Sequence, residues 1–209
     1  MRCLAICAGT PQPIAAKSGR TGHFKTPLPG AEIGPLGVMG DHIVDTDHHG
    51  GPDQAIYLFG EADRVWWSDA LNRPLPAGFF GENLLIEGLA SADLALGDVL
   101  VVGSVRLQIT APRIPCVTFA VRIGDPDGVK RFIAANRTGA YARVLRPGAV
   151  HPLDPVALHP FPGERIPIPE HFARFMEGRM DDDYLRRTLA IPAHTGLHDL
   201  ARARLKDIP

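Results

Sequence analysis

The strongest constraint on this chain is how often it is punctuated. Its 209 residues carry 22 Gly and 20 Pro, spread without a low-complexity period, and breakers at that density leave room mainly for short strands and turns. From residue 1 to about 160 the intervals between them read as β-type segments: 4–8, 22–25, 55–59, 84–86, 99–102, 105–110, 140–145 and 156–158. Gly103-Ser104 reads as a tight hairpin turn between two of these. Many short, evenly spaced strands predict a mainly β fold, a barrel or sandwich rather than a parallel α/β sheet. Two helices interrupt it. One covers 61–71, and the other follows Asp125-Pro126 with Val129, Phe132 and Ile133 as its apolar stripe.

The texture changes after residue 160. Residues 161–169 form a proline-rich linker, and three short helical patterns follow it. The first carries Phe172, Phe175 and Met176. The second opens on Asp181-Asp182-Asp183, which suits a helix N-terminus. The third is expected to be capped by Thr195, with Leu197, Leu200, Ala201 and Leu205 on one face. The division expected is therefore a β domain over 1–160 and a small helical appendage over 161–209. Helices this short hold little core alone, so they must dock on the β domain or on another chain. An exposed apolar face on them would favour a homodimer.

Composition narrows the function classes. Lys plus Arg total 22 against 23 Asp plus Glu, which lacks the basic excess of a general nucleic-acid binder. No apolar run approaches the length of a membrane span, and the N-terminal apolar run is too short for a signal peptide, so a cytoplasmic protein is expected. Three cysteines without a CxxC pair do not make a disulfide framework. Cys3 and Cys7, at period two on one short strand, are expected to share a face in the core.

Four clusters carry polar chemistry. Residues 40–55 contain adjacent His48 and His49 followed by Gly50-Gly51; His49 suits an acid, base or ligand, or else a polar turn. Gly81-Glu82-Asn83-Leu84 offers an acceptor and an amide to a ligand, or to local backbone donors. In Pro112-Arg113-Ile114-Pro115-Cys116, a guanidinium three residues from a thiol would favour the thiolate, a nucleophile and soft-metal ligand; the alternative is an inert buried cysteine. Arg137-Thr138-Gly139 has the ingredients of an anion site, or of a hairpin with solvated arginines. Neither a Walker A loop nor a GxGxxG fingerprint is present, and HExxH is absent.

Taken in order, these pieces resemble the MOSC domain, named for the C-terminal domain of molybdenum cofactor sulfurases. The matching segments are Gly40-Asp41, His49-Gly50-Gly51-Pro52-Asp53-Gln54-Ala55, Gly81-Glu82-Asn83-Leu84, Leu96-Gly97-Asp98, Pro112-Arg113-Ile114-Pro115-Cys116 and Arg137-Thr138-Gly139-Ala140-Tyr141. The tail resembles the three-helix appendage of the YiiM-like branch. The resemblance implies a β-barrel related to that of pyruvate kinase and a pterin-type molybdenum cofactor with Cys116 as its protein thiolate. It also implies reduction of N-hydroxylated compounds of the hydroxylaminopurine or amidoxime type. On that footing Lys25, Arg113, Arg137 and Thr138 become candidates for the anionic end of the cofactor. His49 and Glu82 become the proton-handling candidates, and Asn83 a residue that fixes cofactor or substrate. With no flavin, nicotinamide or Fe–S pattern in the chain, electrons would come from a separate reductase. The alternative is a non-enzymatic carrier of the cofactor, or of sulfur, on Cys116.

Overall fold

The computed structural model describes residues 1–15, 19–46 and 49–206. Eight strands form one mixed sheet: β1 (Cys3–Gly9), β4 (Lys25–Leu28), β7 (Ile56–Gly60), β8 (Leu84–Ile86), β9 (Val99–Val102), β10 (Val105–Pro112), β11 (Ala140–Arg146) and β13 (Val156–His159). Their spatial order is β13-β9-β10-β11-β7-β8-β1-β4. Among the described residues only β7 and β8 pair in parallel. Short strands complete the β structure: β2 (Gln12–Pro13) pairs with β3 (Arg20–Thr21), and β5 (Ala31–Gly34) pairs with β6 (Gly37–Val38) and β12 (Gly148–Val150).

The expected closed barrel is not confirmed. The main ladder ends at β4 and β13. It does curl back on itself, because the amide of Cys3 donates to Asp154 O, that of Leu153 to Cys3 O and that of Val156 to Met1 O. Those bonds make a single bridge, Arg2 to Pro155, rather than a paired strand. What is shown is a mixed sheet with several helices.

Period-two alternation explains how the central strands serve two cores. Every residue of β7 is buried. Ile56 and Leu58 face one cluster, with Leu84, Leu100, Leu107 and Ile109. Tyr57 and Phe59 face the other, with Trp67, Phe80, Phe119 and Phe132. The second cluster is roofed by α1 (Glu61–Ala70), α2 (Val117–Ile123) and α3 (Gly128–Ala135). Its rings stack in sequence, Phe59 on Phe80 at 4.3 Å and Phe80 on Phe119 at 5.7 Å.

Cys3 and Cys7 are both fully buried, as expected, but they do not share a face. A register shift between Cys3 and Ala5 inserts one extra residue. Such a bulge flips everything beyond it, so Cys3 lies in the first cluster and Cys7 in the second. The C-terminal helices α4 (Ile168–Met176), α5 (Asp182–Leu189) and α6 (Thr195–Lys206) dock on this body. Phe172 enters the aromatic core, while Tyr184, Leu185, Leu197 and Ala201 enter the other. Leu200, expected on the buried face of α6, is exposed. Asp181 caps α5 as anticipated, accepting from the Tyr184 amide. Thr195, however, is the first residue of α6 rather than its cap. Asp53, far away in sequence, accepts from both the Thr195 amide (2.7 Å) and hydroxyl (2.8 Å). Among the described residues no helix is long and apolar enough to cross a membrane.

Candidate functional site

A cleft of about 320 Å³ opens where the start of β4, residues 42–45 and 49–50, the turn before β8 and the β10–α2 junction converge. Its volume is at the small end of the range for organic ligands and cofactors. Pro112 and Pro115 hold the end of β10 away from helix, and α2 starts immediately afterwards with Cys116 at its N-cap. The thiol is thereby placed at the cleft, half-buried. Sequence patterning missed α2 because Val117, Thr118, Val121 and Ile123 are β-branched and read poorly as helix.

Cys116 sits among groups that stabilise its anion. Burial would raise the thiol, but a hydrogen bond from His49 and the Arg113 guanidinium outweigh it, and the pKa falls to about 6. Cys3 and Cys7 show the opposite balance: burial first, then a nearby carboxylate, pushes both up to about 12. Arg113 is itself buried. Its Nη1 donates to Phe80 O and its Nη2 faces His23 Nδ1 at 3.4 Å. The guanidinium lies 5.2 Å from the Tyr57 ring centroid and 5.8 Å from that of Phe119. It therefore faces a carbonyl, an imidazole and aromatic rings rather than a carboxylate.

The structure sorts the remaining candidates. His49 lines the cleft beside Cys116, whereas His48 lies outside the described residues. Lys25 also lines it, with Nζ 2.5 Å from Asp41 Oδ2, so its charge is already paired. Asn83 reaches the cleft but is committed to the scaffold. Its Oδ1 accepts from the Tyr57 amide, and its Nδ2 donates to Cys7 O and to Asp41 Oδ2 at 2.8 Å.

Glu82 is not on the cleft wall. It is fully buried, and its two oxygens accept from the Gly78 (2.6 Å) and Phe80 (3.0 Å) amides, fixing the turn before β8. Burial raises its pKa to about 7. Arg137 and Thr138 are also elsewhere. Arg137 pairs with the buried Asp63 at 2.8 Å and stacks over Trp66. The Thr138 hydroxyl donates to Gly139 O, and its carbonyl accepts from Tyr57 Oη. The geometry gives both a structural task at the start of β11.

Two lining residues were missed by sequence reasoning. His23 and Gln54 each carry a buried polar atom, Nε2 and Oε1 respectively, with no hydrogen-bond partner among the described residues. His23 stands two residues before Lys25, and Gln54 lies inside the matched segment His49–Ala55 with no role assigned to it; no local pattern separates an unpaired side chain from a paired one. These two atoms, the Arg113 charge and the Cys116 thiolate leave donor and acceptor capacity open to a ligand. Among the described residues no group of three or more His, Cys, Asp and Glu gathers as a metal site. A metal here would have to bring most of its own ligands, with Cys116 as the one soft protein donor.

A family model described as the MOSC domain matches residues 45–157, more than half of the chain. An uncharacterized protein of Bacillus subtilis, YflK, is 34% identical over 152 residues, covering 71% of this chain and 69% of that protein. A protein named reductase from Gibberella moniliformis is 28% identical over 224 residues; the match takes in 97% of this chain and only 39% of the relative's length. The crystal structure of YiiM from Geobacillus stearothermophilus superposes with a TM-score of 0.80 at 27% identity and covers 98% of both chains.

Proposed function

The chain belongs to the MOSC domain family and is YiiM-like, and from that premise we propose that it binds a pterin-type molybdenum cofactor and reduces N-hydroxylated compounds. The observation that carries this is the half-buried Cys116 at the cleft, with a pKa of about 6 beside His49 and Arg113. The donor set fits the group, since a single thiolate suffices for a metal that arrives with the sulfur ligands of its pterin. The unpaired Nε2 of His23, Oε1 of Gln54 and the Arg113 guanidinium supply polar partners for the rest. When bound, the cofactor supplies the two-electron redox centre that this chain's side chains lack.

The protein's own groups would then bind, orient and deliver protons. Cleavage of N–O consumes two electrons and two protons and releases water, leaving N–H. His49, hydrogen-bonded to Cys116, would be the group on the cleft wall placed to deliver a proton to the leaving oxygen. Ile43, Val44 and Val117 put apolar surface along the cleft, which suits a flat ring bearing the N–OH group, as in a hydroxylaminopurine. Electrons would come from a separate donor protein. The name of the Gibberella relative supports an oxidoreductase, and its extra length lies beyond the part that this chain matches.

The test is molybdenum content of wild type and Cys116→Ser made in a cofactor-producing host, followed by turnover of N-hydroxylated substrates with an artificial reductant. Near-stoichiometric metal that falls more than about tenfold in the variant is expected. Well-folded wild type without molybdenum after reconstitution overturns the proposal. Metal bound without any turnover leaves only the carrier role.

A further inference from the structure

We infer that His23 is a ligand-binding residue of the cleft, a fixed neutral imidazole that presents its Nε2–H to an acceptor oxygen of the cofactor. This rests on the cofactor-binding reading above and deepens it, since the motifs that carry the family resemblance give His23 no role. The placement of the ring is tightly determined. Gly81 has φ +80°, and a Cβ built there would come within 2.5 Å of His23 Nδ1. Only glycine at this position leaves room for the imidazole. Nδ1 is thus turned toward Gly81 and Arg113, whose Nη2 lies 3.4 Å away.

That contact decides the tautomer. A guanidinium has donors and no acceptor, so Nδ1 must accept, and the one proton of a neutral ring then sits on Nε2. Enclosure, reinforced by Arg113, Arg122, Lys25 and His49 facing the ring, holds its pKa well below the ordinary histidine value. His23 is therefore a standing donor and not a proton shuttle. Its Nε2 is buried, belongs to a residue lining the cleft, and has no partner among the described residues. A buried donor left unpaired is destabilising, and a ligand acceptor would complete it. Arg20 and Arg113 line the same cleft, so the matching acceptor is an electron-rich oxygen, either of a terminal phosphate or of a pterin carbonyl.

Histidine side-chain ¹H–¹⁵N spectra of the apo-protein, assigned with His23→Gln, test the donor directly. The expected result is a neutral Nε2–H tautomer at about pH 7; an Nδ1–H tautomer or a charged ring there overturns the inference. Titration with inorganic phosphate and, separately, with a phosphate-free pterin identifies the oxygen: the probe that moves the His23 signal names it. No movement with either probe, nor on loading with cofactor, overturns the inference. In cofactor-loaded protein, His23→Phe is expected to speed pterin release about 10- to 100-fold, and His23→Gln to restore most of the retention. Equal release from wild type and His23→Phe also overturns it. A wild type that takes up no cofactor, yet whose His23 is the Nε2–H tautomer and responds to phosphate, counts against the proposed function alone.

Discussion

Asp53 and Gln54 are neighbours on one short turn, yet they serve two regions built on opposite terms. Asp53 faces the seam where the C-terminal helices dock, and there every acceptor position in view is used. One oxygen takes the Thr195 amide and hydroxyl, and the other lies 2.8 Å from Arg143 Nη2. Arg143 in turn donates to Ala193 O at 2.5 Å. Gln54 faces the cleft, and its Oε1 is buried without a partner among the described residues. Saturated polar groups hold a docked element in place, whereas unsaturated ones leave binding capacity at a cost in stability. The contrast holds at the two side-chain oxygens, since the Asp53 carboxylate is saturated and Gln54 Oε1 is open. Arg143 Nε at the seam is also buried without a partner among the described residues, and Gln54 Nε2 faces His194 Nε2 at 3.5 Å.

The sharpest test of that division compares the three thiols. Cys116, at about 6, is mostly thiolate at neutral pH, while Cys3 and Cys7 are fully buried and raised to about 12. In native protein at pH 7, iodoacetamide should modify Cys116 at least about a thousandfold faster than the other two, which become reactive only on unfolding. Peptide mapping against time measures this. Comparable rates for all three would erase the contrast between cleft and core.

Breaking the seam comes next in size. Asp53→Ala removes the acceptor of the Thr195 amide and hydroxyl at the start of α6 and leaves Arg143 without its carboxylate, so urea unfolding should show a loss of about 2–4 kcal/mol. A loss below about 0.5 kcal/mol would mean that the helices dock through apolar contacts alone. The appendage also carries a pH signature. His171 is buried against Tyr184, with Nδ1 2.7 Å from the hydroxyl, and burial lowers its pKa to about 4. A depressed histidine binds fewer protons folded than unfolded. Its contribution is therefore complete above the unfolded value near 6.5 and is lost as pH falls toward 4. His171→Gln should flatten the stability-versus-pH curve in that window; an unchanged slope would assign the loss to other groups. The smallest effect belongs to the cleft. Gln54→Leu should change the stability of ligand-free protein by less than about 1 kcal/mol while weakening cofactor retention. A large destabilisation would show that Gln54 is structural after all.

Much of the frame was legible in the chain because it depends on local rules. Strands 84–86 and 99–102 appear with those limits, and the segment predicted at 105–110 runs on to Pro112. The first two are aliphatic runs, and the third alternates apolar Val105, Leu107 and Ile109 with polar Arg106, Gln108 and Thr110. The helix after Pro126 also appears, the first C-terminal helix begins at Ile168, inside the expected 161–169 linker, and Asp181 caps α5. Gln12–Pro13, Ala31–Gly34, Gly37–Val38 and Gly148–Val150 went unseen. They are two to four residues long, too short for a pattern to register, whether their partner is near, as Gly37–Val38 pairs with Ala31–Gly34, or far, as Gly148–Val150 does. The segment expected at 22–25 is not a strand except at Lys25: it connects Arg20–Thr21 to Lys25–Leu28, and Gly22 packs too closely on the His42 carbonyl to admit a side chain.

The site divides in the same way. Residue type and short-range order were enough to single out Cys116, Arg113 and His49, since a thiol, a guanidinium and an imidazole bring their chemistry wherever they stand. Lys25 and Asn83 reach the same cleft already engaged by Asp41. Glu82, Arg137 and Thr138 looked equally suited to a ligand, and the fold gave them other partners: two backbone amides, Asp63 and the start of β11. His23 and Gln54 looked ordinary, and enclosure without a partner made them ligand candidates. The sequence by itself determined element types, the order of the motifs and which side chains could carry chemistry, because propensity and breakers act over a few residues. Only the tertiary structure decided which polar groups were satisfied and which stayed open. Glu82 and the Thr138 hydroxyl find partners within four residues. Burial, however, and partnerships such as Lys25 with Asp41 and Arg137 with Asp63 are set by contacts between residues far apart in the chain, and a polar group's pKa and availability follow from those contacts.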